Sequence, residues 1–578
     1  MYKGQNILVP LGGGGLQTDL PQSRIAPTKL IEARNVTLVN GYCEKSPGSK
    51  RWNQVNPNSG QTTISGGIAA FSEYFPSSDN QRVIVLGKDG KIYKFNSPFE
   101  RVQLTAATGA PTTLSLGKQP HIAIGGNEDI GKPKKVFVFS GLNQVQVIEN
   151  DGVTHRNISA PSVDWTSAYP SFGLVYRSRL WAFGNSNIPD FLYASEEANY
   201  ENFVEPVTVT ATSPIHFDVF AGEGDGISGA FVFKNRLYIC KKPTGLYQLN
   251  DDDVSPSNWY FTRVNSDFGL SSSHGIAQIF DDVLLFNTQG SVTVLSAAFQ
   301  LGDIESSDIF NSNLVERYFR QIVSGYGIPK TQALYYPDKK QIYFSIQTKS
   351  SNKNNSIIVM DMFGKEVQLT LNDKDSPNYF GLIQDDSGIG RPHYASDDGN
   401  IYLLDGKNRA AQYTVAGLYV NPTYWANDYV VDQSIGGYPY EMVAQTPHMD
   451  FGFADPAVGL KTKRFDFLEL SFQPTGDWSV YADIYIDSEL KETISYNLLR
   501  DRPLAAVTPP ASVINGFLLD VDRLDGDFPK SIRKPLHGQG RTISVKLRSD
   551  GFSQDIKIQS LMVYFRVSDE RQIRDLRV

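Results

Sequence analysis

Apolar and polar positions alternate along this chain in short runs, and the runs come in pairs. VIVLGKDGKIYKF (83 to 95), KVFVFSGLNQVQVI (135 to 148), RLYICKKPTGLYQL (236 to 249), DDVLLFNTQGSVTVL (281 to 295), ALYYPDKKQIYFSI (333 to 346) and PHYASDDGNIYLLD (392 to 405) each join two apolar, β-branched or aromatic stretches. The turn between them is rich in Gly, Asp, Asn, Pro or Lys, which is the pattern of a β-hairpin. RLWAFGNSNIPDFLYAS (179 to 195) fills the one wide gap in the series. The turns fall near Gly90, Gly141, Asn187, Thr244, Gln289, Asp338 and Asp398, at intervals of 45 to 60 residues. That is about one four-stranded sheet per repeat. The spacing predicts a β-propeller of about six blades over 63–408, because radial packing leaves few long exposed edges. Unrelated hairpins stacked as sandwiches are the alternative.

Outside that region the pattern changes. Residues 1–62 predict an extended segment packed on a C-terminal platform, and 409–463 a loop-rich aromatic insertion or tip. In 464–578, RFDFLELSFQ, WSVYADIYID, RTISVKLRSD and IKIQSLMVYFRV alternate as half-buried strands do and predict a β-sandwich platform. The fold class is therefore all-β throughout, and the Gly, Pro, Tyr and Phe content fits short aromatic strands punctuated by turns.

A chain of 578 residues exceeds the usual size of one core. Its formal charge of -8 gives no overall attraction to nucleic acid, whose binding is dominated by phosphate neutralisation. A sequence-specific DNA reader is disfavoured; a conduit that DNA passes through without sticking is not. No run approaches the roughly 20 apolar residues that cross a bilayer, so no stable membrane insertion is expected. The start MYKGQNILVP has no secretory pattern, which predicts cytoplasmic synthesis. Cys43 and Cys240 read as small buried thiols.

Candidate chemistry is sparse. Gly12 to Gly15 lack the Lys and Ser/Thr of a phosphate loop and are expected to form a close-packed turn instead. In DVDRLDGD (520 to 527), Leu524 occupies the third ligand position of a calcium loop and Gly526 comes one residue late. The histidines at 121, 155, 216, 274, 393, 448 and 537 show no metal-ligand spacing, and no GxSxG elbow accompanies them. The residues nominate no catalytic, cofactor-binding or metal position. The sequons at Asn35 and Asn157 have no bearing in a chain without a secretory signal.

The motifs in order resemble a family. GLQTDLPQSRIAPTKLIEARNVTLVNGYCEKSPGSKRW (15 to 52) is similar to the opening of the tail nozzle proteins of short-tailed bacteriophages, also called tail tubular protein B or packaged-DNA stabilisation protein. The matching positions are Gly15, Thr18, Asp19, Leu20, Pro21, Pro27, Arg34, Asn35, Val36, Gly41, Lys45, Pro47 and Gly48. RLWAFGNSNIPDFLYASEEANYENF, with Trp181 and Tyr193, resembles the family's middle segment, and HGQGRTISVKLRSDGFSQDIKIQSLMVYFRV its end.

This resemblance implies a structural virion protein and not an enzyme, with no cofactor. It implies a hexameric ring in the virion tail, assembled in the host cytoplasm, touching a tail adaptor and tail fibre or spike proteins. The ring would retain packaged double-stranded DNA and pass it without sequence specificity at ejection. On that expectation Trp425, Tyr438 and Tyr440 are interface or gate residues, and Asp251, Asp252 and Asp253 line a lumen or tip. The alternatives are a propeller glycosidase or depolymerase acting on host surface polysaccharide, which needs two carboxylates at the right separation, and a solitary propeller that binds a partner or glycan.

Overall fold

The computed structural model describes residues 5–11, 13–18, 20–39, 41–53, 62–77, 80–127, 132–222, 226–265, 269–279, 282–287, 292–295, 331–347, 351, 353–362, 367–404, 414–415, 418–419, 430–431, 440–473, 478–498, 530–550 and 556–567. Among these the architecture is essentially all-β, divided into several separate sheets.

Seven sheets follow one another along the chain as antiparallel meanders. The first runs Ile68–Ser77, Asn80–Gly87, Ile92–Ser97, Glu100–Gln103. The second is Leu116–Asn127, Lys132–Gly141, Gln146–Glu149, Thr154–Asn157, with Thr105–Ala106 parallel at its edge. The third is Phe172–Tyr176, Arg179–Phe183, Phe191–Ala194, Ile215–Asp218, and the fourth Ile227–Phe233, Arg236–Lys241, Leu246–Asn250, Tyr260–Asn265. Ile276–Ile279, Asp282–Phe286 and Val292–Val294 form the fifth, and Gln332–Tyr336, Gln341–Ile346, Ser356–Asp361 and Gln368–Asn372 the sixth. The seventh, Tyr379–Gln384, Gly390–Ala395 and Ile401–Leu403, is completed from the other end of the chain by Ser49–Arg51.

The inner hairpin strands are buried on both faces. Val83, Ile84, Val85 and Leu86 are all inaccessible, as are Val136 to Phe139 and Leu180 to Phe183. Continuous burial marks a strand covered on both sides, where a half-solvated strand would alternate. The covering layers are the neighbouring sheets. Ile84 and Val138 share one core with Ile401, which joins the first, second and seventh sheets. Phe139 with Leu180 joins the second to the third, Phe183 with Ile239 the third to the fourth, and Cys240 with Val283 the fourth to the fifth. Phe286 lies 5.9 Å from Phe344, linking fifth and sixth, and Tyr343 with Tyr394 links sixth and seventh.

Two larger sheets complete the architecture, one of them continuous with the sixth meander. The sixth meander continues through Glu32–Arg34 into Met442–Gln445, Ile543–Ser549, Trp478–Ile486 and Glu489–Leu498, giving a nine-stranded sheet. A six-stranded sheet orders Val36–Val39, Tyr42–Lys45, Lys557–Val567, Lys463–Gln473 and Lys530–Gly540, with Gln5–Pro10 also paired to Lys557–Val567. Val480, Ala482, Ile484 and Leu547 of one sheet share a core with Leu468, Leu470, Leu561 and Val563 of the other.

Two boundaries differ from the sequence expectation. Ser49–Arg51 belongs to the last meander, although it lies in the segment expected to pack on the platform. Met442–Gln445 pairs with Glu32–Arg34 and Ile543–Ser549 and so leaves the expected insertion. Both strands are three or four residues long, too short to display a period of two.

Gly15 explains the glycine run. Its φ is +69°, and a Cβ there would stand 2.8 Å from the backbone nitrogen of Leu369. The close approach lets Leu16 N–H donate to the Leu369 carbonyl at 2.9 Å and Leu30 N–H donate to the Gly15 carbonyl at 2.9 Å. Glycine suits that φ and leaves no Cβ to collide with Leu369.

Candidate functional site

The first strands of the meanders border a common cavity of about 390 Å³. Its lining includes His121, Phe172, Val232, His274, Gln332 and Phe380, contributed by six different sheets or their leading turns. A second cavity of about 360 Å³ is lined by Lys88, Gln119, Asn354, Asn378 and Tyr379. His274 and Gln332 line both and therefore stand between them.

Local structure delivers each ring. The pairing of Leu116–Asn127 with its neighbour shifts register between Leu116 and His121, and such an irregularity re-aims side chains. His274 sits in the SSSHG turn, where Gly275 N–H donates to the Ser272 carbonyl at 2.9 Å. Ala333 N–H donates to the His274 carbonyl at 2.8 Å, tying this turn to the sixth sheet. Gln119 bridges the second sheet to the same turn, donating to Ser272 Oγ and accepting from Ser273 Oγ at 3.1 Å.

The rings then stack. The His121 and Phe172 centroids are 3.9 Å apart with planes 22° from parallel, and His121 and His274 are 5.3 Å apart. His274 also meets Tyr379 edge-on at 5.1 Å. Burial, reinforced by the neighbouring His274, pushes the His121 imidazole well below the usual histidine range. Burial brings His274 down to about 4, opposed by its hydrogen bond to the Pro120 carbonyl. Both imidazoles are therefore neutral at pH 7. Neutral imidazoles here can hydrogen-bond or ligate a metal. Among the described residues no Asp or Glu lines either cavity.

At the second cavity, Lys88 and Lys353 both pair with Asp397, the latter at 3.0 Å, and Asn378 Nδ2 also donates to it. Burial would raise the Asp397 carboxyl, but Lys88, Asn378 and Lys353 hold it at about 2.

The residues singled out from sequence lie elsewhere. Asp251 is a correction: its side chain is fully buried, accepting from Tyr176 OH at 2.8 Å and pairing with Arg177 at 3.0 Å. A carboxylate so enclosed stitches the third sheet to the fourth and faces no lumen. Asp252 remains exposed and pairs with Arg236 at 3.0 Å, while Asp253 Oδ1 accepts from Ser255 N–H at 2.8 Å. Tyr440 is half-buried: its hydroxyl donates to the Ser46 carbonyl, and Lys45 and Lys374 sit 4.7 and 5.5 Å from its ring centre. Trp425 and Tyr438 lie outside the described residues.

The motif positions do backbone and core work. Asn35, at φ +54°, donates to Asp373 at 2.6 Å and to the Glu441 carbonyl at 2.7 Å. It is buried, which removes its sequon from glycosylation in the folded chain. Gly41, at φ +81°, sits in the turn between Val36–Val39 and Tyr42–Lys45. Pro47 and Gly48 lead into Ser49–Arg51, with Gly48 buried. Thr18 and Leu20 are half-buried and Pro21 exposed, whereas Asp19 lies outside the described residues. Trp181 is buried, its Nε1–H donating to the Tyr176 carbonyl at 3.1 Å, and Tyr193 packs edge-on against Trp165 at 5.4 Å.

His121 and His274 carried no sequence signal, being far apart in the chain and outside any ligand spacing. Among the described residues no group of three or more His, Cys, Asp and Glu gathers as a metal cluster, and no helix is long and apolar enough to cross a membrane. Cys43 and Cys240 are buried free thiols, and burial pushes Cys43 up to about 12.

No protein-family model matches the chain, and no curated protein matches it. Among solved structures, the chain is similar to the computationally designed Ika8 protein at 12% identity, over 68% of this chain and 99% of that one, with a TM-score of 0.35. It is similar to BBS1N in complex with ARL6DN, soaked with lead, at 11% identity over 63% and 99%, with a TM-score of 0.38. The form of that complex soaked with mercury gives 10% identity over the same shares and a TM-score of 0.33.

Proposed function

We propose that this chain is a structural subunit of the tail nozzle of a short-tailed bacteriophage, retaining packaged DNA and forming part of the channel through which it leaves. In this reading the seven meanders are the blades of a β-propeller, one more than the repeats suggested, and the two larger sheets form a β-sandwich platform. Shared cores between successive sheets, and between the seventh and the first, support the propeller.

The observation that carries the function is the course of the family-like opening. Glu32–Arg34, Val36–Val39 and Tyr42–Lys45 pair within the two larger sheets, and Ser49–Arg51 pairs with Ile401–Leu403 of the last meander. One short segment thus ties the two bodies together, which suits a subunit that transmits force along a tail. The matched residues supply turns and anchors, as a structural role requires. The depolymerase alternative would need two carboxylates at the right separation, and among the described residues the linings of the two cavities carry none.

The hexameric ring, the adaptor, the fibre or spike contacts and assembly in the host cytoplasm follow from the resemblance. Particles assembled without this chain test the reading: heads that fill and then lose their DNA are expected. Particles that stay filled and inject normally would overturn it.

A further inference from the structure

We propose that His121 and His274 form a divalent transition-metal site at the meeting point of the sheets, taking an ion that favours imidazole, such as Zn²⁺ or Cu²⁺. Three observations converge on it. The buried Nε2 of His274 has no protein partner. The Nδ1 of His121 is likewise buried without a protein partner.

The spacing of the rings fits. A metal about 2.0 to 2.1 Å from each nitrogen lies about 3.2 Å from each ring centre, so two imidazoles on a tetrahedral ion have centres about 5.2 Å apart. The observed separation is 5.3 Å. The cavity of about 390 Å³ alongside has room for water to fill the remaining coordination positions. An unpartnered buried nitrogen is costly, and an ion repays that cost at both rings. Because His121 lies in the second sheet and His274 in the turn leading to the fifth, the ion clamps the two across the hub. This site is independent of the nozzle reading.

The test is titration of the full chain with Zn²⁺ and with Cu²⁺ in a buffer that does not chelate. One equivalent is expected to bind, raise the thermal midpoint and weaken at least about tenfold in His121→Gln and in His274→Gln. His216→Gln, which removes an exposed ring bonded to Glu205, is expected to leave that equivalent intact. X-ray absorption of the zinc-loaded unmodified chain is expected to show two imidazoles, a readout that does not depend on variants folding. No binding, a shell with fewer than two imidazoles, or affinity unchanged by both hub substitutions would overturn the proposal.

Discussion

The hub where the meanders meet and the junction where the N-terminal segment crosses from the larger sheets to the last meander solve the burial of polar groups in opposite ways. At the junction, Asp375 is fully buried and surrounded by donors. Ser49 Oγ and Lys374 Nζ bond to it, with Tyr394 OH at 2.8 Å and Asn372 Nδ2 at 2.9 Å. At the hub, neutral imidazoles pack on Phe172 and Tyr379, and a nitrogen of each is unbonded within the protein. A saturated charge network fixes one geometry, whereas an unsaturated apolar cluster retains bonding capacity for something else. The junction is thus built for permanence and the hub for occupancy.

The largest expected effect breaks the junction. Asp375→Ala leaves Lys374 and its partners buried without the carboxylate, and a loss of about 3 to 5 kcal/mol is expected in denaturant unfolding. Gly15→Val comes next: it forces a β-branched residue to φ +69° against Leu369, at a cost of about 2 kcal/mol in the same measurement.

Acid acts on the hub. A histidine whose folded value is depressed contributes stability that is complete above its unfolded value of about 6.5 and is lost as pH falls toward the folded value. With His274 at about 4, stability is expected to decline from pH 6.5 to 4. His274→Gln should flatten that slope, as read from thermal midpoints across the range. Between the second and third sheets, away from both regions, burial would raise Glu201, but Arg156 and Lys135 hold it at about 2, so its contribution is present above the usual carboxylate range and is lost as pH falls toward 2. The smallest effect is expected from Asp252→Asn, whose exposed pair with Arg236 is screened by solvent, with no measurable change in the unfolding midpoint.

These contrasts also mark what the sequence could carry. Every hairpin read from alternation is present as paired strands, from Val83–Phe95 pairing at Gly90 to His393–Leu403 at Asp398, because turn residues and β-branched runs act locally. The burial of Asp251 is not legible in the sequence, because an acidic run looks the same whether it faces water or a tyrosine and two arginines from elsewhere in the chain. The hub was illegible for a related reason. His121 and His274 meet only through the mutual packing of sheets, and no short-range spacing encodes that meeting. The strand Ser49–Arg51 was hidden too, since its partner Ile401–Leu403 lies at the far end of the meander series.

The central claim is that this chain is a built part of a phage tail, and its position in an intact particle tests that most directly. Electron cryo-microscopy of whole virions should show six copies as a ring around the tail axis, each with a seven-sheeted body attached to a sandwich. Virions whose tails contain no density for this chain, or a protein that remains a free monomer throughout assembly, would contradict the account.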